Sequence, residues 1–142
     1  MADPLSIAAS VVGLAAAAGK IYSALSGFVS SAADAPQSAL SALNTVREMR
    51  LALEMVQELI NTISTLPSNR KMMVRLEHIV ITISNSVLTM SELESLVCPC
   101  MDGSGLRSRF KWAKIEQRVL RLLPRLESQK ASLSLMVSVL VW

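Results

Sequence analysis

Cys98 and Cys100 flank Pro99 as a Cys-x-Cys pair, and the chain's single histidine, His78, lies upstream of them. Two thiolates this close could form half of a metal site or accept reversible acylation. A tetrahedral zinc site needs two further ligands, and the chain offers no other cysteine and no second histidine to complete one. His78 stands between Glu77 and Ile79 with no cysteine or aspartate at a catalytic spacing, whereas acid–base and nucleophilic catalysis need partners in mutual geometry. These residues point to a non-enzymatic protein without metal or cofactor, with Cys98 and Cys100 as candidate acylation positions. A lone pair of cysteines is no secreted disulfide framework, so a reducing, cytoplasmic setting is expected.

The strongest chemical pattern is electrostatic. Arg107, Lys111, Lys114, Arg118, Arg121 and Arg125 recur at helical spacing, and Trp112, Ile115, Val119, Leu122 and Leu126 repeat on the adjacent face. A helix with a cationic stripe beside an apolar one suits an anionic lipid surface, where each Lys or Arg contributes about 1 kcal/mol. Nucleic acid would attract the same charges, but no zinc pattern, RNP-like aromatic strand or helix-turn-helix accompanies them, so no nucleic-acid partner is expected. The plainer alternative is a solvated face that keeps an apolar bundle soluble. The net charge of +3 conceals this asymmetry: residues 1–102 hold 6 basic and 9 acidic side chains, residues 103–142 hold 8 and 2.

The elements that must position these residues are all helical. With 51% hydrophobic and 18% charged residues, the 142-residue chain is neither disordered nor long enough to require two domains. From Pro4 to Ala33 the only charge is Lys20, in a run of Ala, Gly, Ser, Val, Ile and Leu. As one helix, that run would reach about 45 Å, longer than a bilayer's hydrocarbon core. The residues before it carry only Asp3, which reads against a secretory signal, and Lys20 within it reads against a constitutive span. Two states remain compatible: burial in a resting bundle and insertion on a trigger. The rows Ala9, Gly13, Ala17 and Ala15, Gly19, Ser23, Gly27 each recur at four-residue steps, a close-packing face for a helix in lipid or in a soluble bundle.

Further along, Asp34 reads as an N-cap and Pro36 as a first-turn residue. Val46, Met49, Leu53, Val56, Ile60 and Ile63 then form a heptad seam, with Arg47, Arg50, Glu54 and Glu58 outside it. A second long helix carries Leu76, Val80, Ile83, Val87 and Met90 as its main stripe and Met72, Ile79 and Leu93 as a flanking row. The short link between these helices predicts an antiparallel hairpin. The expected architecture is all-α, a four- to five-helix bundle with long antiparallel helices in one domain, 1–142. Its helices fall at 1–33, 35–66, 69–97 and 107–141, with a loop over 98–106 and a break or bend at Pro124.

The opening Met1-Ala-Asp-Pro-Leu-Ser-Ile-Ala-Ala-Ser-Val-Val-Gly-Leu, the long helices, Phe110-Lys-Trp-Ala-Lys, and the Leu126-Glu, Lys130, Leu133, Leu135 ending together resemble the N-terminal HeLo-like domain of fungal NLR-type STAND proteins. The resemblance implies a cell-death effector of the heterokaryon-incompatibility and innate-immunity type. By it, the domain oligomerises and its N-terminal helix inserts into the plasma membrane, to which the cytoplasmic protein is recruited on activation. The implied insertion residues are Leu5, Ile7, Ala9, Val12, Gly13, Leu14, Ala17, Gly19, Ser23 and Gly27, with the basic stripe docking on anionic lipids. Implied partners are further copies of the chain, a related signalling domain, or a C-terminal NOD-type sensor region. No Walker-type GxxxxGK[ST] occurs within these 142 residues. The alternative function is a helical protein–protein interaction module whose apolar terminus is simply core.

Overall fold

The computed structural model describes residues 4–31, 35–63, 70–100 and 106–141, which form four helices and, among the described residues, no strand. They are α1 (Pro4–Ser31), α2 (Gln37–Ile63), α3 (Arg70–Cys100) and α4 (Leu106–Val141). α2 starts one residue after Pro36, outside the first turn expected for that proline. The Pro36 carbonyl accepts the first helical bonds, from the amides of Ala39 at 3.0 Å and Leu40 at 3.2 Å. Proline lacks only a donor, so it serves there without loss. Asp34 lies outside the described residues.

Neither Pro99 nor Pro124 ends its helix. α3 runs through Pro99 to Cys100, so the Cys-x-Cys pair occupies its last turn and not a loop. Pro124 does not interrupt α4, which continues as one 36-residue helix. The carbonyl four residues before a helical proline loses its amide partner. That residue is Leu120, which is exposed as Pro124 is, so water can serve the freed carbonyl.

The helices pack in the cyclic order α1, α2, α4, α3. α1 and α2 run antiparallel, as do α3 and α4, where the Gln129 amide donates to Thr89 Oγ1 at 3.0 Å. α2 and α4 run parallel, tied by Ser38 to Glu116 and by Glu48 to Lys130. α1 and α3 also run parallel, with Lys20 pairing Glu94 at 3.1 Å. The expected α2/α3 hairpin therefore does not form: these consecutive helices lie across the diagonal. A six-residue link can span about 20 Å, enough to cross a bundle with helices about 10 Å apart.

The core has heptad regularity. α1 contributes Ile7, Val11, Leu14, Ala18, Ile21, Leu25 and Phe28; α2 contributes Val46, Met49, Leu53, Val56 and Ile60, as its seam predicts. The Ile63 side chain lies outside the described residues. On α3 the buried row is Ile79, Ile83, Ser86, Met90, Leu93 and Val97, so the expected flank supplies much of the core while Val87 is 39% exposed. Ser86 is tolerated inside because its hydroxyl donates to the Thr82 carbonyl at 2.7 Å. The Met72 and Leu76 side chains are outside the described residues.

Candidate functional site

α4 carries its apolar and cationic rows side by side over the described residues. Trp112, Val119, Leu122 and Leu126 are buried, and Lys114, Arg118, Arg121 and Arg125 are exposed beside them. Lys111 is half-buried, and the Arg107 side chain lies outside the described residues. Among the described residues, Lys114, Arg118, Arg121 and Arg125 form no ion pair, so four guanidinium or ammonium groups face solvent uncompensated. The acidic residue nearest in sequence, Glu116, is turned toward α2, where it accepts a 2.6 Å hydrogen bond from Ser38.

Phe110 adds to this surface and escaped a reading based on the apolar row. It stands 71% exposed next to Lys111 and one turn before Lys114. An outward aromatic among cations matches a membrane interface, where the ring enters the headgroup layer while the charges stay on lipid phosphates. The signal in the sequence was its position two residues before Trp112, off the buried face.

Neutralising Lys114→Gln, Arg118→Gln and Arg121→Gln together should weaken binding to anionic vesicles about a hundredfold, at about 1 kcal/mol per charge. Raising the salt should weaken the parent protein's binding more than that of the triple variant. Vesicle co-sedimentation at two ionic strengths checks both.

α1 presents a different face. Over Ser6–Ser30 it is long and apolar enough to cross a bilayer, yet only 28% of that stretch is buried. Of the residues implied to insert, Ile7 and Leu14 belong to the core, Ala17 and Gly19 are half-buried, and Ala9, Val12, Gly13, Ser23 and Gly27 are exposed. The Leu5 side chain lies outside the described residues. Within the small-residue rows Ala15 and Ala17 pack against the core, but the glycines make no close helix contact: a methyl group added at Gly13 or Gly27 would meet nothing within 4 Å, and at Gly19 only the end of Arg50 at 4.0 Å. Gly13→Ala and Gly27→Ala should each stabilise the bundle by about 0.5–1 kcal/mol, because helical glycine has excess unfolded-state freedom. Urea melts of the two variants measure this.

Open grooves line the α1/α3 seam. One of about 470 Å³ lies between Ser6, Ile7 and Ser10 on α1 and Val80, Ile81 and Ser84 on α3. Another lies between Gly13 and Ala17 on α1 and Val87 and Ser91 on α3. Small side chains leave this side loosely filled, and Lys20–Glu94 is a half-exposed clasp of modest worth. On its other side α1 meets Arg50, whose guanidinium sits 5.7 Å from the centre of the Tyr22 ring.

A second polar cluster fixes α4 on α2. Lys130 reaches both Glu48 and, at 2.8 Å, Glu127. The hydrogen bond and positive charge of Lys130 hold the Glu48 carboxyl below its ordinary value of 4.5. Hydrogen bonds to Glu127 and Glu48 raise Lys130 above its ordinary 10.5. A depressed carboxyl contributes stability above its unfolded-state value and loses it as pH falls through the folded one; a raised ammonium loses its contribution as pH climbs past the folded value. Glu48→Gln should accordingly flatten the decline in stability between about pH 5 and pH 3, read from melts across that range.

The cysteines and His78 do not converge. His78 is exposed on α3 near Leu135, Met136 and Val139, at the opposite end of α3 from half-buried Cys98, and the Cys100 side chain lies outside the described residues. Among the described residues no three of His, Cys, Asp and Glu gather closely enough to hold a metal ion. Comparison of the chain with protein-family models, with curated proteins and with solved structures found no match.

Proposed function

We propose that this chain is a membrane-targeting, cell-death-inducing signalling domain of the HeLo-like type. It is a non-enzymatic cytoplasmic effector that docks on the plasma membrane, oligomerises and inserts α1. The observation that carries this reading is the outward face of α1, where Ala9, Val12, Gly13, Ala16, Ser23 and Gly27 stand in solvent with Lys20 as the helix's only charge. A soluble bundle ordinarily places charged residues on that face, and α2 and α4 do so. The uncompensated cations of α4 and the ring of Phe110 supply a docking surface for anionic lipid. Partner copies, a related signalling domain or a C-terminal sensor would regulate the exposure of α1.

Leakage from anionic liposomes tests the proposal. The protein should release contents from vesicles containing phosphatidylserine and not from neutral ones. Deleting residues 1–20 is an unsuitable control, since it removes Ile7, Val11, Leu14 and Ala18 from the core. Outward substitutions on α1 are the clean variants. Folded protein that binds anionic vesicles and never permeabilises them would favour the helical interaction module.

A further inference from the structure

The two grooves of the α1/α3 seam share Ser10, so they run end to end from Ser6 beside Val80 to Ala17 beside Ser91. The gap follows from the sequence. α1 lines the seam with Ser6, Ser10, Gly13 and Ala17 at i, i+4, i+7 and i+11, and α3 answers in the same steps from Val80 to Ser91. Short side chains in both rows leave space that neither helix fills. Beside it Leu88 projects from α3, 71% exposed, with Ile81 exposed two turns earlier. An apolar projection next to an apolar groove marks a contact surface.

Charge decides what can cover this side. A two-fold contact sets a patch against its own copy, so on α4 it would press Lys114, Arg118, Arg121 and Arg125 against like charges. The described walls of the α1/α3 grooves hold Glu77 at one end and Glu94 at the other, and Glu94 already pairs with Lys20 at 3.1 Å. Glu77 forms no ion pair among the described residues. It lies about 26 Å from Glu94 along α3, at 1.5 Å per residue. An antiparallel two-fold axis crossing α3 near Asn85 therefore brings Glu77 of each copy to the partner's Lys20, which is 67% exposed and can serve both carboxylates. The same axis carries Leu88 onto the partner's Ile83 and Ser84, which line the first groove. The surface is large enough: 28 residues of α1 and a neighbour about 10 Å away give a side of roughly 40 by 20 Å, the ~800 Å² per partner of a standard interface.

We propose that the α1/α3 side is the interface of an antiparallel homodimer, in which Leu88 of each copy fills the groove of the other and Glu77 pairs with the partner's Lys20. The dimer covers the outward face of α1. Its consequence for membranes rests on the functional reading, in which the dimer is the resting form and its dissociation uncovers α1; the interface itself needs no lipid.

Sedimentation equilibrium of the chain in lipid-free buffer tests the interface. The protein should be dimeric at micromolar concentration. Leu88→Asp, at an exposed position, should leave the thermal melt unchanged and weaken dimerisation at least a hundredfold, since the two-fold contact buries this residue twice. Glu77→Lys and Lys20→Glu should each weaken it by setting like charges together twice. An equimolar mixture of those two variants should restore it, because each copy then supplies the charge that the other lacks. A monomer at every concentration, a dimer indifferent to Leu88→Asp, or a mixture no more associated than its components overturns the proposal. A monomer that binds vesicles and loses that binding with Leu88→Asp assigns this side to lipid and also overturns it. Leakage judges the functional reading separately: a dimer that never permeabilises anionic vesicles overturns that reading alone, and leakage by a permanent monomer overturns the dimer alone.

Discussion

Trp112→Ala is expected to lower the unfolding free energy by about 3–5 kcal/mol, a large share of the ~5–15 kcal/mol that holds a domain together. Trp112 is 1% exposed, its ring centre lies 5.8 Å from that of Phe28, and its indole nitrogen donates to Ser38 Oγ at 2.9 Å. The ring therefore joins the end of α1 to the starts of α2 and α4. Its removal leaves a cavity among three helices and deprives Ser38 of one donor. Trp112→Phe keeps most of the volume and should cost closer to 1 kcal/mol for the lost hydrogen bond plus imperfect packing. Denaturant melts of both variants give the comparison, with a thermal shift on the order of 10 °C for alanine. If α1 must leave the bundle to act, the alanine variant should also permeabilise anionic vesicles faster than the parent. Unchanged leakage from this loosened protein would disconnect α1 release from activity.

Val12→Asp should reduce membrane insertion about a hundredfold without unfolding the protein. An aspartate near the centre of an inserted helix costs about 2.5–3.5 kcal/mol, which sets the size of the effect. Val12 is 51% exposed in the bundle, so the new carboxylate stays hydrated in the resting state. Leu14→Asp is the contrasting case. Leu14 is 3% exposed in the core, and an unpaired charge there should unfold the bundle before any question of lipid arises. Leakage and thermal melts on both variants separate the effects. Equal leakage from parent and folded Val12→Asp would show that α1 does not enter the bilayer.

The seam of α2 was legible because its apolar residues are separated by charges, so one helical phase explains the pattern. α1 was not legible in this way. Its composition is apolar or small all round, and the stripe Ile7, Val11, Leu14, Ala18, Ile21, Leu25 and Phe28 stands out only once α2 and α3 define an inside. On α3 two phases compete, since Val80, Ile83, Val87 and Met90 fit the period as well as Ile79, Ile83, Met90 and Leu93 do; packing against α4 as well as α1 selects the second. The basic stripe was readable from charge alone. Phe110 was readable too, from its two-residue offset from Trp112, whereas the Ser38–Trp112–Glu116 chain was not, because its meaning lies in the pairing of helices and local spacing carries no information about which helices become neighbours. The Cys98 segment departs from expectation for a local reason: its proline signals an ending, yet α3 continues through Cys100, three residues past the expected end at 97.

The diagonal passage from α2 to α3 has a kinetic consequence. In an up-and-down bundle of sequential neighbours, most contacts join nearby stretches of chain, and such folds form fast. Here only the two hairpins, α1/α2 and α3/α4, close locally. The ties Ser38 to Trp112 and Lys130 to Glu48 span 74 and 82 residues. Loop-closure entropy opposes those distant contacts until the hairpins exist, so the chain is expected to fold more slowly than its helix content suggests, with hairpin docking late in the process. The α1/α3 seam closes in that docking step, and an apolar helix awaiting its partner during synthesis is exposed to aggregation for as long as the wait lasts.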